Sequence, residues 1–217
     1  AGLLELYEAT GEKEWFSAAV ELQKVQERHY RDKKNGGYFS TSDDHEKLML
    51  RDKPDYDGAE PSGNSISAMN LLRLYAFTGD EQYLKSADAV FSAFSKAINR
   101  GSTGVPAMLA ALEMRLDQTR QIVIVSPKGG TPDALKAVVD RTYLPNRALA
   151  VVQADEVAKL ANNMPMVAGK TAQQTKATAY VCVEGRCDQP ATTPQMLAEQ
   201  LGAIEPLFAD RSAAPLP

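Results

Sequence analysis

Leu3-Leu4-Glu5-Leu6-Tyr7-Glu8-Ala9-Thr10-Gly11-Glu12 and Leu71-Leu72-Arg73-Leu74-Tyr75-Ala76-Phe77-Thr78-Gly79-Asp80 are two copies of one pattern, 68 residues apart. The register continues beyond them, with Trp15 falling on Tyr83, Phe16 on Leu84 and Ala19 on Ala87. Each copy reads as an apolar helix closed by a glycine where φ must be positive. An acidic residue then opens a second helix whose apolar positions lie three and four apart. A hairpin of this kind buries its apolar face mainly against its neighbours, so two copies predict a larger array of which this chain is a piece.

Outward from the repeat, helical spacing extends over residues 2–9, 12–33, 62–78, 81–99 and 103–116, and the character changes near residue 118. Gln121-Ile122-Val123-Ile124-Val125 is a buried-strand run. Thr131-Pro132-Asp133 offers a cap, a first-turn proline and an early acid for a helix through Tyr143. Arg147 to Gln153 and Ala177 to Val183 read as further strands, Asp155 to Asn162 as a short helix, and Thr193-Pro194 starts a last helix to Leu201. The expected organisation is a mainly α region over 1–117, a small three-stranded α/β unit with a parallel pair over 118–208, and a flexible tail over 209–217.

Composition narrows the classes of partner. With 44% hydrophobic and 24% charged residues among 217, the chain is of globular type and can bury a core. A formal net charge of −4 argues against a duplex nucleic-acid binder. No apolar run approaches the ~18 residues of a membrane span, so neither nucleic acid nor membrane is an expected partner. The chain opens at Ala1 inside a helix pattern, as expected of a fragment, and a cytoplasmic location is the expectation.

The irregular stretch from Asn35 to Pro61 is long beside the Thr78-Gly79-Asp80 corner and calls for a structural or functional reason. Gly37–Thr41 and Lys47–Arg51 read as the strands of a β-hairpin around Ser42-Asp43-Asp44-His45-Glu46. The stretch ends in Asp55-Tyr56-Asp57-Gly58-Ala59-Glu60-Pro61-Ser62-Gly63-Asn64-Ser65, which runs into the helix carrying Leu71. Free N–H groups at such a helix start suit oxyanions or sugar hydroxyls.

Gly36-Gly37-Tyr38-Phe39, the block from Tyr56 to Ser65, Leu71-Leu72-Arg73-Leu74, and Ala179-Tyr180-Val181-Cys182 with Cys187 resemble the C-terminal part of the thioredoxin-domain proteins related to the spermatogenesis-associated protein. The resemblance spans almost the whole chain. It implies an α/α toroid similar to six-hairpin glycosidases and sugar 2-epimerases, of which residues 1–117 would be a partial ring with an inserted β-hairpin. It also implies a carbohydrate-like ligand and a thioredoxin-like domain of the full-length protein as a partner. Cys-x-x-Cys is absent here and there are fewer than six hairpins, so the fragment is expected to be inactive alone.

Asp57 and Glu60, with Asp55 nearby, are the candidate acid and base for glycoside or epimerase chemistry, which needs positioned carboxyl groups of tuned pKa; a capped, solvated loop is the alternative. Tyr56, Ser62, Asn64, Arg51 and His45 are the ligand-binding candidates, although Ser62 and Asn64 also suit a helix start. His29 and His45 match no catalytic-histidine motif. Asp43, Asp44, His45 and Glu46 are consecutive on a turn and are not expected to converge on one ion, so no metal site and no cofactor are expected. If Glu184-Gly185 is a two-residue turn, Cys182 faces Cys187 across two strands. The pair would then either bridge, as the redox candidate, or remain as two reduced thiols in a cytosolic protein. Ser126 to Thr131 reads as a turn, and Tyr7, Trp15, Phe16, Tyr75, Tyr83, Phe91 and Phe94 as packing. Exposed apolar faces of residues 2–33 predict a homodimer or an exchanged helix.

Overall fold

The computed structural model describes residues 1–46, 48–100 and 102–202, with the backbone alone at Ser102. The tail expected over 209–217 and the proposed strand residue Lys47 lie outside the described residues. The chain divides into two compact units, the first built from Ala1–Leu116 with Ala161–Met166 and the second from Asp117–Leu160 with the chain from Val167 onward.

In the first unit, α1 (Gly2–Thr10) and α2 (Lys13–His29) form one hairpin, and α3 (Gly63–Thr78) and α4 (Glu81–Ala93) form the other. Their corners are built alike. Gly11 and Gly79 adopt φ of 75° and 66°, and each donates its N–H to the carbonyl four residues back, Tyr7 O and Tyr75 O, at 2.7 Å. Thr10 and Thr78 hydroxyls donate to Leu6 O and Leu74 O, then accept the N–H of Glu12 and Asp80. The duplicated Thr-Gly-acid sequence thus encodes a duplicated set of bonds, in which only glycine takes the left-handed conformation without steric cost.

Tyr7, Phe16 and Phe77 pack ring to ring at centroid distances of 5.3–5.5 Å, joining α1, α2 and α3. Arg73, the repeat counterpart of Glu5, pairs with Glu5 and with the buried Glu8. The Tyr7 hydroxyl donates to Met164 Sδ at 3.3 Å, which ties the returning segment Ala161–Met166 to this unit. The second hairpin has its own core: Leu71, Ala87, Val90 and Phe91 cluster with Met108, Ala111 and Met114 of α6 (Pro106–Leu116). The helix expected over 81–99 is two, α4 and α5 (Ser95–Arg100), broken at the buried Phe94, whose backbone leaves helical geometry at φ −104° and ψ 13°. The helix expected over 12–33 ends at His29.

The expected β-hairpin is not formed among the described residues. Gly37–Thr41 and Leu48–Arg51 carry no strand, and Tyr38 makes only an isolated bridge to Arg31. Gly36 and Gly37 both have positive φ (77° and 73°), and a Cβ on Gly36 would lie 2.4 Å from Ala89 O. The double glycine lets the chain lie directly on α4, and the backbone bends instead of running on as a strand.

The second unit is a mixed four-stranded sheet in the order β2-β1-β3-β4, made of β1 (Arg120–Ser126), β2 (Arg147–Gln153), β3 (Thr178–Val183) and β4 (Arg186–Cys187). β1 pairs parallel to β2 through the crossover helix α7 (Asp133–Arg141) and antiparallel to β3. The short α8 (Val157–Leu160) replaces the longer helix expected over 155–162. Ile122, Ile124, Leu149, Ala179 and Val181 face Leu135 and Val139 of α7 and Leu197 and Leu201 of α9 (Pro194–Gly202). The intervening Val123, Val125, Ala148 and Ala150 are buried as well, so both faces of β1 and β2 are covered, the usual condition of a parallel pair. Glu184 and Gly185 take φ of 49° and 78°, a two-residue turn that sets Cys182 opposite Cys187, and the two are joined as a disulfide. That replaces the alternative of two reduced thiols.

Candidate functional site

Asp57 occupies the join between two helix starts. Its Oδ1 accepts the N–H of Ser62 at 2.7 Å, while Oδ2 accepts the N–H groups of Ala107 and Met108 at 2.9 and 3.1 Å. Ala107 and Met108 lie in the first turn of α6, where N–H groups have no partner within the helix, so an anion there satisfies them and meets the positive end of the dipole. The main-chain N–H of Asp57 is bonded in turn to Gly104 O at 2.8 Å. Burial raises the pKa of this carboxyl, but the bonds from Ser62, Ser65, Met108 and Ala107 outweigh it and hold the group below its ordinary value. A general acid needs the opposite shift.

Ser62 is the N-cap of α3, its hydroxyl accepting the N–H of Ser65 at 3.1 Å. Asn64, 1% exposed, has its amide directed at main chain: Oδ1 accepts the N–H of Tyr38 at 2.7 Å, and Nδ2 donates to Tyr38 O and Pro54 O, both at 3.0 Å. Its side chain therefore does for Tyr38 what a neighbouring strand would do. The Tyr38 hydroxyl is bonded to Glu27, and burial followed by that bond pushes the phenol well above its ordinary pKa.

Arg51 reaches back along the same stretch, donating to the carbonyls of His29 and Thr41 with its guanidinium 4.2 Å from the centroid of the Phe39 ring. Lys53 bonds Asp32 at 2.7 Å and Gly36 O at 3.1 Å. Asp32 also accepts the N–H groups of Lys34 and Asn35, and Lys53 first among these partners holds its carboxyl far below the usual range.

Of the predicted site residues, the structure brings Asp57, Ser62 and Asn64 together, but as fasteners of the irregular stretch to α3 and α6. Glu60 and His45 are exposed, and Tyr56 stands 68% exposed. Asp43 and Asp44 meet His29 at the end of α2, with Asp43 Oδ1 2.9 Å and Asp44 Oδ2 3.7 Å from Nδ1. These three could hold a cation between them, but the two aspartates are exposed, His29 is half-buried and already bonded to Asp43, and His45 is not part of the group. Sequence reasoning missed His29 in this role because its partners lie fourteen and fifteen residues on. It also missed Arg73, whose place inside Leu71-Leu72-Arg73-Leu74 was the available signal, since a charge in an apolar run needs a partner.

No family model matches the chain. Sequence relatives do, however, cover almost all of it: 202 residues, 92% of the chain, align at 38% identity with a Homo sapiens protein. The chain is similar to spermatogenesis-associated protein 20. The Mus musculus protein of that name is 36% identical over 202 residues, and an uncharacterized protein of Caenorhabditis elegans is 30% identical over 198. The chain spans only 26% of the length of each of these relatives. It therefore corresponds to a portion of a larger protein. No helix among the described residues is long and apolar enough to cross a membrane.

Proposed function

We propose that this chain is the C-terminal, non-catalytic scaffold portion of a larger protein similar to spermatogenesis-associated protein 20. In this reading its helical hairpins form an arc of an α/α toroid that packs against other parts of that protein, a thioredoxin-like domain among them. The observation that carries the reading is the state of Asp57. A carboxylate that already accepts three main-chain N–H groups has neither the exposure nor the pKa direction of a proton donor. Asn64, whose amide is bonded on both sides to Tyr38 main chain, supports it as well.

The second reading is a carbohydrate-binding site like those of six-hairpin glycosidases or sugar epimerases. Its support is the exposure of Tyr56 and Glu60, an aromatic face and a carboxylate four residues apart on the same loop. Titrating the isotopically labelled protein with simple mono- and disaccharides separates the two. The scaffold reading expects no saturable amide shift over residues 56–65. A saturable shift there that Glu60→Gln abolishes would replace it with the carbohydrate reading.

A further inference from the structure

We infer that the open groove between α1, α2 and α3 is the seat of another apolar helix, supplied by the part of the longer polypeptide outside the matched portion. The inference rests on the scaffold reading and names one of its contact surfaces. The groove encloses about 330 Å³ and is lined by Leu3, Ala19, Leu22 and Val25 of the first hairpin with Asn70 and Leu74 of α3. Leu22 and Val25 are 61% and 47% exposed, although they stand on the apolar side of α2.

The repeat shows how such a face is completed. Sixty-eight residues on, Leu3, Ala19 and Leu22 correspond to Leu71, Ala87 and Val90, each 0% exposed. What shares their cluster is α6, through Met108, Ala111 and Met114. In the second copy the chain leaving the hairpin thus returns as a helix to the hairpin it has just left. In the first copy the chain leaving α2 departs as the irregular stretch and contributes Tyr38 to the core of the second hairpin. Residues 38–48, the positional counterparts of α6, are accordingly not helical among the described residues, and the seat on the first hairpin is left without its helix.

The occupant is therefore an α-helix with an apolar face like that of α6, which buries Met108, Ala111 and Met114 against its hairpin with Leu109 and Leu112 packed beside them. The relatives have the length to provide it, since the matched portion is 26% of theirs. A helix tethered in the same polypeptide meets the groove at a high effective concentration, which a separate molecule does not.

The test uses the longer protein as it exists. Leu22→Cys and, as an exposed reference, Met49→Cys (107% exposed in the parent) are labelled with a maleimide, the sites being quantified by peptide mass spectrometry. An occupied groove slows labelling at position 22 by about tenfold or more relative to position 49, because reaction then waits for local opening. A benzophenone amino acid at Val25 gives the second readout, a cross-link within one polypeptide to an apolar helical segment outside residues 1–217. Labelling within tenfold of the reference overturns the inference, and so does a cross-link between two molecules, which would assign the groove to a second copy. Should Leu22→Cys fail to fold, Val25→Cys is read in the same way. Failure here leaves the saccharide titration untouched, so the loss of this seat and the loss of the scaffold reading are told apart.

Discussion

Replacing Asp57 by Asn preserves shape and removes what the scaffold reading depends on. The carboxylate accepts from Ser62 on one oxygen and from Ala107 and Met108 on the other. An amide has a single acceptor. Whichever way it is turned, its NH2 group faces a main-chain N–H, leaving two donors opposed and at least one buried N–H without an acceptor. A lost charge-assisted bond costs about 1.5–3 kcal/mol and an orphaned buried donor about 1–3 kcal/mol, so roughly 3–5 kcal/mol is expected. Trp15 is the single tryptophan and lies in the first unit, so its fluorescence in urea reports on that unit. The pH dependence gives a second handle. Because the folded-state pKa of Asp57 is depressed, its contribution is complete above the ordinary carboxylate pKa of about 3.9 and is lost as pH falls through the lower folded value. Asp32 behaves in the same way in both proteins, so the informative quantity is the difference between wild type and variant, which should shrink below about pH 4. A cost under about 0.5 kcal/mol, or a stabilised variant, would refute the reasoning, since residues held for catalysis characteristically release strain on replacement.

Three other substitutions and a titration follow from the same contacts. Asn64→Ala leaves the Tyr38 N–H and two carbonyls without this partner and should cost about 2–4 kcal/mol by the same urea assay. Gly36→Ala places a Cβ 2.4 Å from Ala89 O at positive φ, and is expected to lower the unfolding temperature of the first unit steeply, by more than about 5 °C, where an exposed substitution such as Glu60→Gln leaves it within about 2 °C. Arg73→Met withdraws the guanidinium from Glu5 and the buried Glu8, with an expected loss of about 3–5 kcal/mol that added salt barely alters. A thiol titration of protein kept free of reductant should find no reactive thiol at Cys182 or Cys187, which sit in direct register across β3 and β4; two thiols per chain would contradict the bridge.

The parts of the fold that could be read from sequence are those where the local signal and the tertiary answer coincide. The Thr-Gly-acid corners carry their own bonds, so the repeat was visible in the letters alone. The apolar runs of β1 and β2 were legible because strands covered on both faces need them, and Glu184-Gly185 announced its turn. The β-hairpin over 37–51 was misread because Tyr38, Phe39 and Thr41 are strand-forming residue types, whereas the partner of the Tyr38 backbone is the Asn64 side chain. Asp57 and Glu60 look equivalent in sequence. Only the fold distinguishes the one that meets the start of α6 from the one that meets water, because the N–H groups it binds lie fifty residues away.

The most direct measurement is amide hydrogen exchange, residue by residue, at Tyr38, Ser62, Ala107 and Met108. None of these N–H groups is held by a helix or strand ladder, and first-turn or loop amides ordinarily exchange fast. If Asp57 and Asn64 are fasteners, all four are protected to the level of the α3 interior, and Asp57→Asn releases either Ser62 or Ala107 and Met108 together, according to which side its NH2 group faces. Rapid exchange at these four in the unaltered protein would mean that the carboxylate and the amide are free to meet a ligand, and the account would fail.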